Sequence, residues 1–182
     1  MLTAASQPLS EADLHSIPRR IVLMGVAGCG KSAVGAALAA RLGAAYLDGD
    51  DLHPAANIAK MSRGQPLTDE DRWPWLALVG RSLANPEGVL ILGCSALKRR
   101  YRDRIREVAA APVTFVPLSG TKALIVARMN ARSGHFMPAS LIDSQFAALE
   151  PPAGDEGAVT VDIDRTLERI VDDIVTRLEE TA

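Results

Sequence analysis

Residues 25–32 have the glycine and lysine spacing of a phosphate-binding loop, G-x-x-x-x-G-K-[ST]. Glycines in such a loop permit backbone torsions and close approach that a Cβ would block, so backbone N–H groups can surround anionic oxygens. The lysine adds a positive charge near the β- and γ-phosphates, and the final hydroxyl can ligate Mg²⁺. The residues expected to hold a nucleoside triphosphate are Gly25, Val26, Ala27, Gly28, Cys29, Gly30, Lys31 and Ser32. They are called the P-loop below.

The flanking sequence supports this interpretation. Ile21–Met24 is a continuous apolar run, typical of a strand buried on both faces of a parallel sheet. Ser32–Leu42 is rich in helix formers, and Gly43 fits the position just past a helix end. The order strand, loop, helix therefore favours a phosphate site. The alternative, an ordinary glycine turn, would leave the Lys-Ser pair unexplained.

Acidic residues follow the next apolar run, Ala45–Leu47. Asp48 and Asp50 are two residues apart at the end of this predicted strand, so both side chains can face one cleft. Ligands of parallel α/β sheets bind beyond the carboxyl ends of the strands, which places these acids near the phosphates. Asp51 is better interpreted as part of a surface turn.

A cation follows the predicted strand Val89–Leu92. Ser95 and Lys98 place a hydroxyl and an ammonium group at the carboxyl edge of the sheet, and Lys98 is the cation we expect in the site. Most arginines of the basic helix after it are interpreted as a solvated face with some i,i+4 pairs. Arg63 and Arg72 are candidate anion contacts, although either one taken alone is better interpreted as a solvated surface charge.

Two further arginines flank a glycine-containing loop. Arg128 and Arg132 are four residues apart and therefore share a helix face, and residues 133–138 interrupt the helical pattern. Such arginines can neutralise a transferring phosphoryl group and exclude water when a lid closes. The lid is predicted at about residues 129–139, and the alternative is a surface helix with unpaired arginines.

Composition bounds the class of protein. The 182 residues suit one domain, predicted at 18–182 after an N-terminal extension, 1–17. A net charge of −2 gives no basic footprint for nucleic acid, and no apolar stretch approaches the roughly 20 residues that span a bilayer. Two cysteines, Cys29 and Cys94, are too few for a disulfide scaffold, which with a triphosphate site indicates the cytoplasm. We interpret them as buried thiols, although both follow strands near the site and redox sensitivity stays an alternative.

Five strands alternating with helices predict an α/β fold, a parallel sheet covered on both faces. The absence of any Asn-Lys pair disfavours a GTPase switch, and a compact fold with a lid suits a small-molecule kinase. Several ordered motifs besides the P-loop then resemble the gluconokinase family. They are Leu47-Asp-Gly-Asp-Asp-Leu-His-Pro54, Asn57-Ile-Ala-Lys-Met61, Gly64-Gln-Pro-Leu-Thr-Asp69, Asp71-Arg-Trp-Pro-Trp-Leu76, Cys94-Ser-Ala-Leu-Lys98, Tyr101-Arg-Asp-Arg-Ile-Arg106, Gly134-His-Phe-Met137 and Ser144-Gln-Phe146.

The resemblance implies a three-layer P-loop NTPase fold like that of shikimate and adenylate kinases, with strand order 2-3-1-4-5. It implies phosphorylation of D-gluconate at its 6-hydroxyl with Mg²⁺ and ATP, and often a homodimer. It places Asp48 with Ser32 near the metal, and Asp50 beside the attacking hydroxyl, where it would orient or deprotonate it. The residues implied to contact the sugar acid are His53, Arg72, Lys98 and His135 at the lid tip, while Arg128 and Arg132 would close over ATP.

Two rival functions stay open. One is a kinase for another small acceptor, such as shikimate or a nucleoside monophosphate. The other is a regulatory module that binds a nucleotide without catalysis.

The residues that the family resemblance implies to carry catalysis are Lys31, Asp50, Lys98 and Arg132.

Overall fold

The computed structural model describes residues 16–131 and 139–181. Its sheet has five parallel strands in the order β2-β3-β1-β4-β5, which confirms the predicted order. The strands are β1 (Arg20–Met24), β2 (Ala45–Asp48), β3 (Leu90–Gly93), β4 (Thr114–Ser119) and β5 (Val161–Asp162). The helices are α1 (Lys31–Leu42), α2 (Ala55–Ser62), α3 (Asp69–Ala84), α4 (Arg99–Ala109), α5 (Lys122–Asn130), α6 (Ala139–Ala148) and α7 (Leu167–Glu180). Short 3-10 turns occupy Gly49–Leu52 and Gly154–Glu156.

Alternate residues of the central strand β1 pack into two separate cores, one on each face of the sheet. Ile21 and Leu23 face the core formed with α1 and α7, while Val22 and Met24 face the core formed with α3 and α4. All four side chains are fully buried. This is why the strand reads as a continuous apolar run rather than an alternating one.

Most element ends lie within one or two residues of those predicted. The fifth strand, predicted over residues 158–163, forms only at Val161–Asp162. Helix α3 begins with a capping box, in which Thr68 accepts from the Asp71 amide and the Asp71 carboxylate accepts from the Thr68 amide. It then continues through Pro74, which lies in the second turn.

The hydrophobic core includes a residue that precedes β1. Ile17 is 4% exposed and belongs to the core on the α1 side of the sheet, so the last residue of the predicted extension packs with the domain. Residues 1–15 lie outside the described part of the chain. Among the described helices none is long and apolar enough to cross a membrane.

Candidate active site

The P-loop connects β1 to α1 and leaves the start of that helix open to an anion. Gly30 caps α1 with φ near 100° and provides no side-chain cap, and no acidic residue stands in the first turn. The first N–H groups of the helix therefore have no side-chain acceptor at the cap, the arrangement that binds phosphate. Lys31 Nζ lies across the loop and donates to the carbonyls of Gly25 at 3.1 Å and Val26 at 3.2 Å.

Helix α5 packs directly on the P-loop. A Cβ on Gly28 would lie 2.7 Å from Met129 Cγ and 3.2 Å from Ile125 Cγ2, and Gly28 also has φ near 81°. Only glycine meets both conditions without strain. The segment that leads into the predicted lid thus begins in contact with the phosphate site.

The two acids predicted at the end of β2 are joined to the P-loop. Ser32 Oγ donates to Asp48 Oδ2 at 2.9 Å, and Asp48 Oδ1 accepts from the backbone N–H of Asp50 at 3.1 Å. Asp48 therefore links the loop to the turn that carries Asp50, whose side chain is exposed. A hydroxyl beside a carboxylate in an exposed position offers the hard oxygen ligands that Mg²⁺ prefers, so these residues fit a magnesium ion shared with phosphates. Within residues 16–131 and 139–181, no group of three or more His, Cys, Asp or Glu side chains is placed to hold a metal by itself.

The glycine between these acids is required by close packing. A Cβ on Gly49 would lie 2.3 Å from the carbonyl oxygen of Gly93, at the end of β3. The Trp75 indole N–H donates to the Gly49 carbonyl at 2.7 Å and fixes the same peptide from the other side. The Asp-Gly-Asp sequence is therefore pressed against the carboxyl edge of the sheet.

We expect Gly49→Ala to lower kcat by about 10²-fold, because the turn must move and a displacement near 1 Å is enough to misplace a reacting group. The protein should stay folded, since the turn lies at the sheet edge. Steady-state kinetics and circular dichroism check this expectation. Gly88→Ala is the control, because a Cβ there would meet no atom within 4 Å. Equal kcat values for the two variants would contradict a role for the close packing of Gly49 in positioning the acids beside it.

His53 extends the site away from the phosphates. Its ring stacks on Trp75 with centroids 4.1 Å apart, and Asn57 Nδ2 lies 3.3 Å from His53 Nδ1. Burial lowers the pKa of His53 below its ordinary value, against the opposing effect of Asp50, and Arg72 lowers it further. The neutral form of the imidazole is therefore favoured at pH 7, and the ring feels both a carboxylate and a guanidinium.

A cationic cluster, Arg72, Lys98 and Arg100 around the ring of Tyr101, borders this region. The three charged groups lie 5.6, 5.5 and 5.8 Å from the ring centroid. One carboxylate, Asp69, bonds to Tyr101 and Arg100 and lies 3.4 Å from Lys98 Nζ. The Tyr101 hydroxyl, with Lys98 and Arg100, holds the pKa of Asp69 below its usual range. Three cations against one carboxylate leave an excess of positive charge for a second anionic group.

Sequence and structure comparisons identify the family. A family model described as an AAA domain matches residues 21–152. A gluconokinase of Gluconobacter oxydans is 43% identical over 172 residues, covering 93% of this chain and 96% of the relative. The thermosensitive gluconokinase of Escherichia coli is 46% identical over 155 residues, covering 83% and 82%. The chain belongs to the gluconokinase family. A crystal structure of a gluconokinase from Sinorhizobium meliloti agrees, with 48% identity, a TM-score of 0.85, and coverage of 91% of this chain and 94% of that one.

The fold brings most of the sequence-predicted site residues of this gluconokinase-family chain to one edge of the sheet. Ser32 is hydrogen-bonded to Asp48, and Asp48 to the Asp50 amide, while Lys31 bonds to the P-loop carbonyls. Arg128, on α5, donates through Nη2 to the Ile163 carbonyl at 2.5 Å, just past β5. Its predicted contact with ATP stays a prediction. Arg132, His135 and most of the predicted lid lie outside the described residues.

Sequence reasoning missed several residues of the site. Trp75, Tyr101 and Asp69 were not predicted to act in the site. Trp75 stacks on His53, while Tyr101 and Asp69 contact Lys98. Arg100 was expected on a solvated helix face; its side chain is 53% exposed, and it also pairs with Asp69 in the cationic cluster. The available signal was position, since Trp75 and Asp69 lie inside motifs that resemble the family.

Proposed function

We propose that this chain transfers the γ-phosphoryl group of ATP to the 6-hydroxyl of D-gluconate, giving 6-phospho-D-gluconate and ADP. The observation that carries this proposal is the hydrogen-bonded path from Ser32 of the P-loop through Asp48 to the turn bearing Asp50. It supports the proposal that Asp50 is the carboxylate that orients the acceptor beside the phosphates. The kinship with named gluconokinases over most of the chain supports the choice of acceptor.

The P-loop supplies binding and charge stabilisation in this proposal. Backbone N–H groups at the start of α1 would hold the β-phosphate, while Lys31 would leave its two carbonyl partners and contact the β- and γ-oxygens. Arg128 and Arg132, the latter beyond the described residues, would neutralise charge on the transferring group and exclude water. Asp50 would hold the attacking hydroxyl in line and accept its proton as the new bond forms.

The region around Tyr101 would hold the other end of the acceptor. D-Gluconate carries a carboxylate and several hydroxyls, and the excess positive charge of the cationic cluster is suited to that carboxylate. His53, neutral and half-buried, can donate or accept a hydrogen bond from a hydroxyl between the two ends. His135 at the lid tip is a further proposed contact.

Magnesium, when bound with ATP, would neutralise charge on the phosphates. We propose that Ser32 and Asp48 hold it together with the phosphates. Ser32→Ala should therefore raise the Mg²⁺ concentration for half-maximal activity by about tenfold or more, because one oxygen ligand is lost. Magnesium titrations at fixed ATP measure this, with Ser62→Ala, an exposed serine at the end of α2, as control. An unchanged magnesium requirement would remove Ser32 from the metal site.

The acceptor is tested by ADP release from Mg²⁺-ATP over a panel of compounds. We expect turnover with D-gluconate and little with other sugar acids, shikimate or nucleoside monophosphates. Turnover only with shikimate or a nucleotide would favour the rival kinase. Tight ATP binding with no ADP release for any acceptor would favour the regulatory module.

We also propose that the protein acts in the cytoplasm, where ATP is abundant, as a homodimer. The cytoplasm follows from the low cysteine content together with the ATP site, and the homodimer follows from the family resemblance. Sedimentation equilibrium would test the dimer.

A further inference from the structure

One backbone N–H of the P-loop is already hydrogen-bonded by a distant helix. The Ala27 N–H donates to Oε1 of Gln145, on α6, at 2.6 Å in a partly buried position. The two residues are 118 positions apart in sequence. Gln145 belongs to the Ser144-Gln-Phe146 motif, for which the proposed mechanism has no role.

The helix that carries Gln145 is firmly docked. Ile142 is 4% exposed, and Phe146 packs against the core on the α1 side of the sheet. Lys122 of α5 forms an ion pair with Asp143 of α6 at 2.6 Å, and α5 itself packs on Gly28 through Met129. The P-loop is therefore contacted by both helices that flank residues 131–138, the centre of the predicted lid.

We propose that Gln145 is a positioning residue for ATP. Its side chain fixes the Ala27 peptide and so holds the P-loop in its phosphate-binding conformation. Phosphate binding requires the loop amides to converge on one point, and a glycine-rich loop pays conformational entropy to do so. An acceptor that fixes one peptide beforehand lowers this cost. The bond also ties the loop to α6, a helix distant from it in sequence. This inference rests on the proposed ATP site and names a residue that serves it.

The first test uses Gln145→Met, which keeps length and bulk but removes the acceptor. We expect KM for ATP to rise about tenfold, the effect of one hydrogen bond of ~1.4 kcal/mol, with KM for D-gluconate unchanged. The control is Asp143→Asn, which breaks the exposed ion pair to Lys122 on the same helix and should leave both KM values unchanged. A parent-like KM for ATP in Gln145→Met would overturn the proposal. An equal rise in both variants would do so too, since it would indicate only looser packing of α6.

The second test needs neither a variant nor activity. In the nucleotide-free parent protein, hydrogen exchange measured by NMR should show the Ala27 amide protected relative to the amide of the exposed residue Gly88. Exchange of Ala27 as fast as that of Gly88 would overturn the proposal. A protein that shows protection and the KM effect but phosphorylates an acceptor other than gluconate would refute the proposed function and leave the role of Gln145 intact.

Discussion

Asp50→Asn should lower kcat for gluconate phosphorylation by about 10²- to 10⁴-fold, the usual contribution of a positioned proton acceptor. The amide keeps the size of the side chain but cannot accept the proton of the attacking hydroxyl. The fold should be unaffected, because the Asp50 side chain is exposed and the turn is held by Asp48 and Trp75. Steady-state kinetics with D-gluconate and ATP measure the effect.

The adjacent residue provides a matched control. Asp51 is an exposed carboxylate in the same 3-10 turn, and Asp51→Asn changes the local charge by the same amount. We expect it to keep the kcat of the parent. Near-normal gluconate phosphorylation by Asp50→Asn would refute the proposed role of Asp50, and an equal loss in both variants would reduce that role to general electrostatics.

Arg102→Leu should destabilise the protein by about 3–5 kcal/mol, the typical cost of leaving one partner of a buried ion pair uncompensated. The side chains of Arg102 and Glu156 are 0% and 2% exposed, and Nε and Nη2 of the guanidinium donate to both Glu156 oxygens at 2.6 and 2.8 Å. Removal of the arginine leaves the buried carboxylate with the longer contact to Arg106 Nη1 at 3.4 Å and the Ala153 amide at 3.1 Å, which compensate its charge far less. Urea unfolding followed by circular dichroism gives the free energy of unfolding.

Helix α4 contains a control for this prediction. Arg104 pairs with Glu107 at 2.8 Å, but these side chains are 37% and 69% exposed. Exposed pairs contribute at most about 1 kcal/mol, so Arg104→Leu should change stability little. Similar losses in the two variants would contradict the special role of the buried pair.

The same pair predicts a dependence of stability on pH. Hydrogen bonds from Arg102, foremost among its contacts, lower the pKa of Glu156 from 4.5 to about 2. A depressed carboxyl pKa stabilises the folded state above the unfolded value and loses that contribution as pH falls through the folded value. The difference in free energy of unfolding between the parent and Glu156→Gln should therefore shrink as pH falls from 4.5 to about 2. A difference that stays constant over this range would contradict the lowered pKa of Glu156.

Arg102 also shows where sequence reasoning was wrong. The basic start of α4 was interpreted largely as a solvated face, yet Arg102 is fully buried. Its Nη1 donates to the carbonyls of Ala96 and Leu97 at 3.2 and 3.3 Å, in the loop that leads to Lys98. A partner 54 residues away determines this burial, so no local pattern of charges reveals it.

The parts of the fold that follow from local rules were predictable. The apolar run of β1, the glycines of the P-loop and the capping box of α3 each have a physical cause within a few residues, and the structure has all three. The placement of Asp48 beside Ser32 was predictable as well, because carboxyl ends of parallel strands meet at one edge. The cationic cluster and the Gln145 contact arise from packing between helices distant in sequence, where spacing carries no signal.

In the proposed function, the P-loop binds ATP, and Asp48 and Asp50 at the end of β2 direct its γ-phosphoryl group to an alcohol of gluconate. The most direct test of this function is ³¹P NMR of the purified protein with Mg²⁺-ATP and D-gluconate. We predict one new phosphomonoester resonance, coupled to the protons on C6, that grows as the γ-phosphate resonance of ATP declines. Growth of inorganic phosphate alone, or no change in either resonance, would contradict the account.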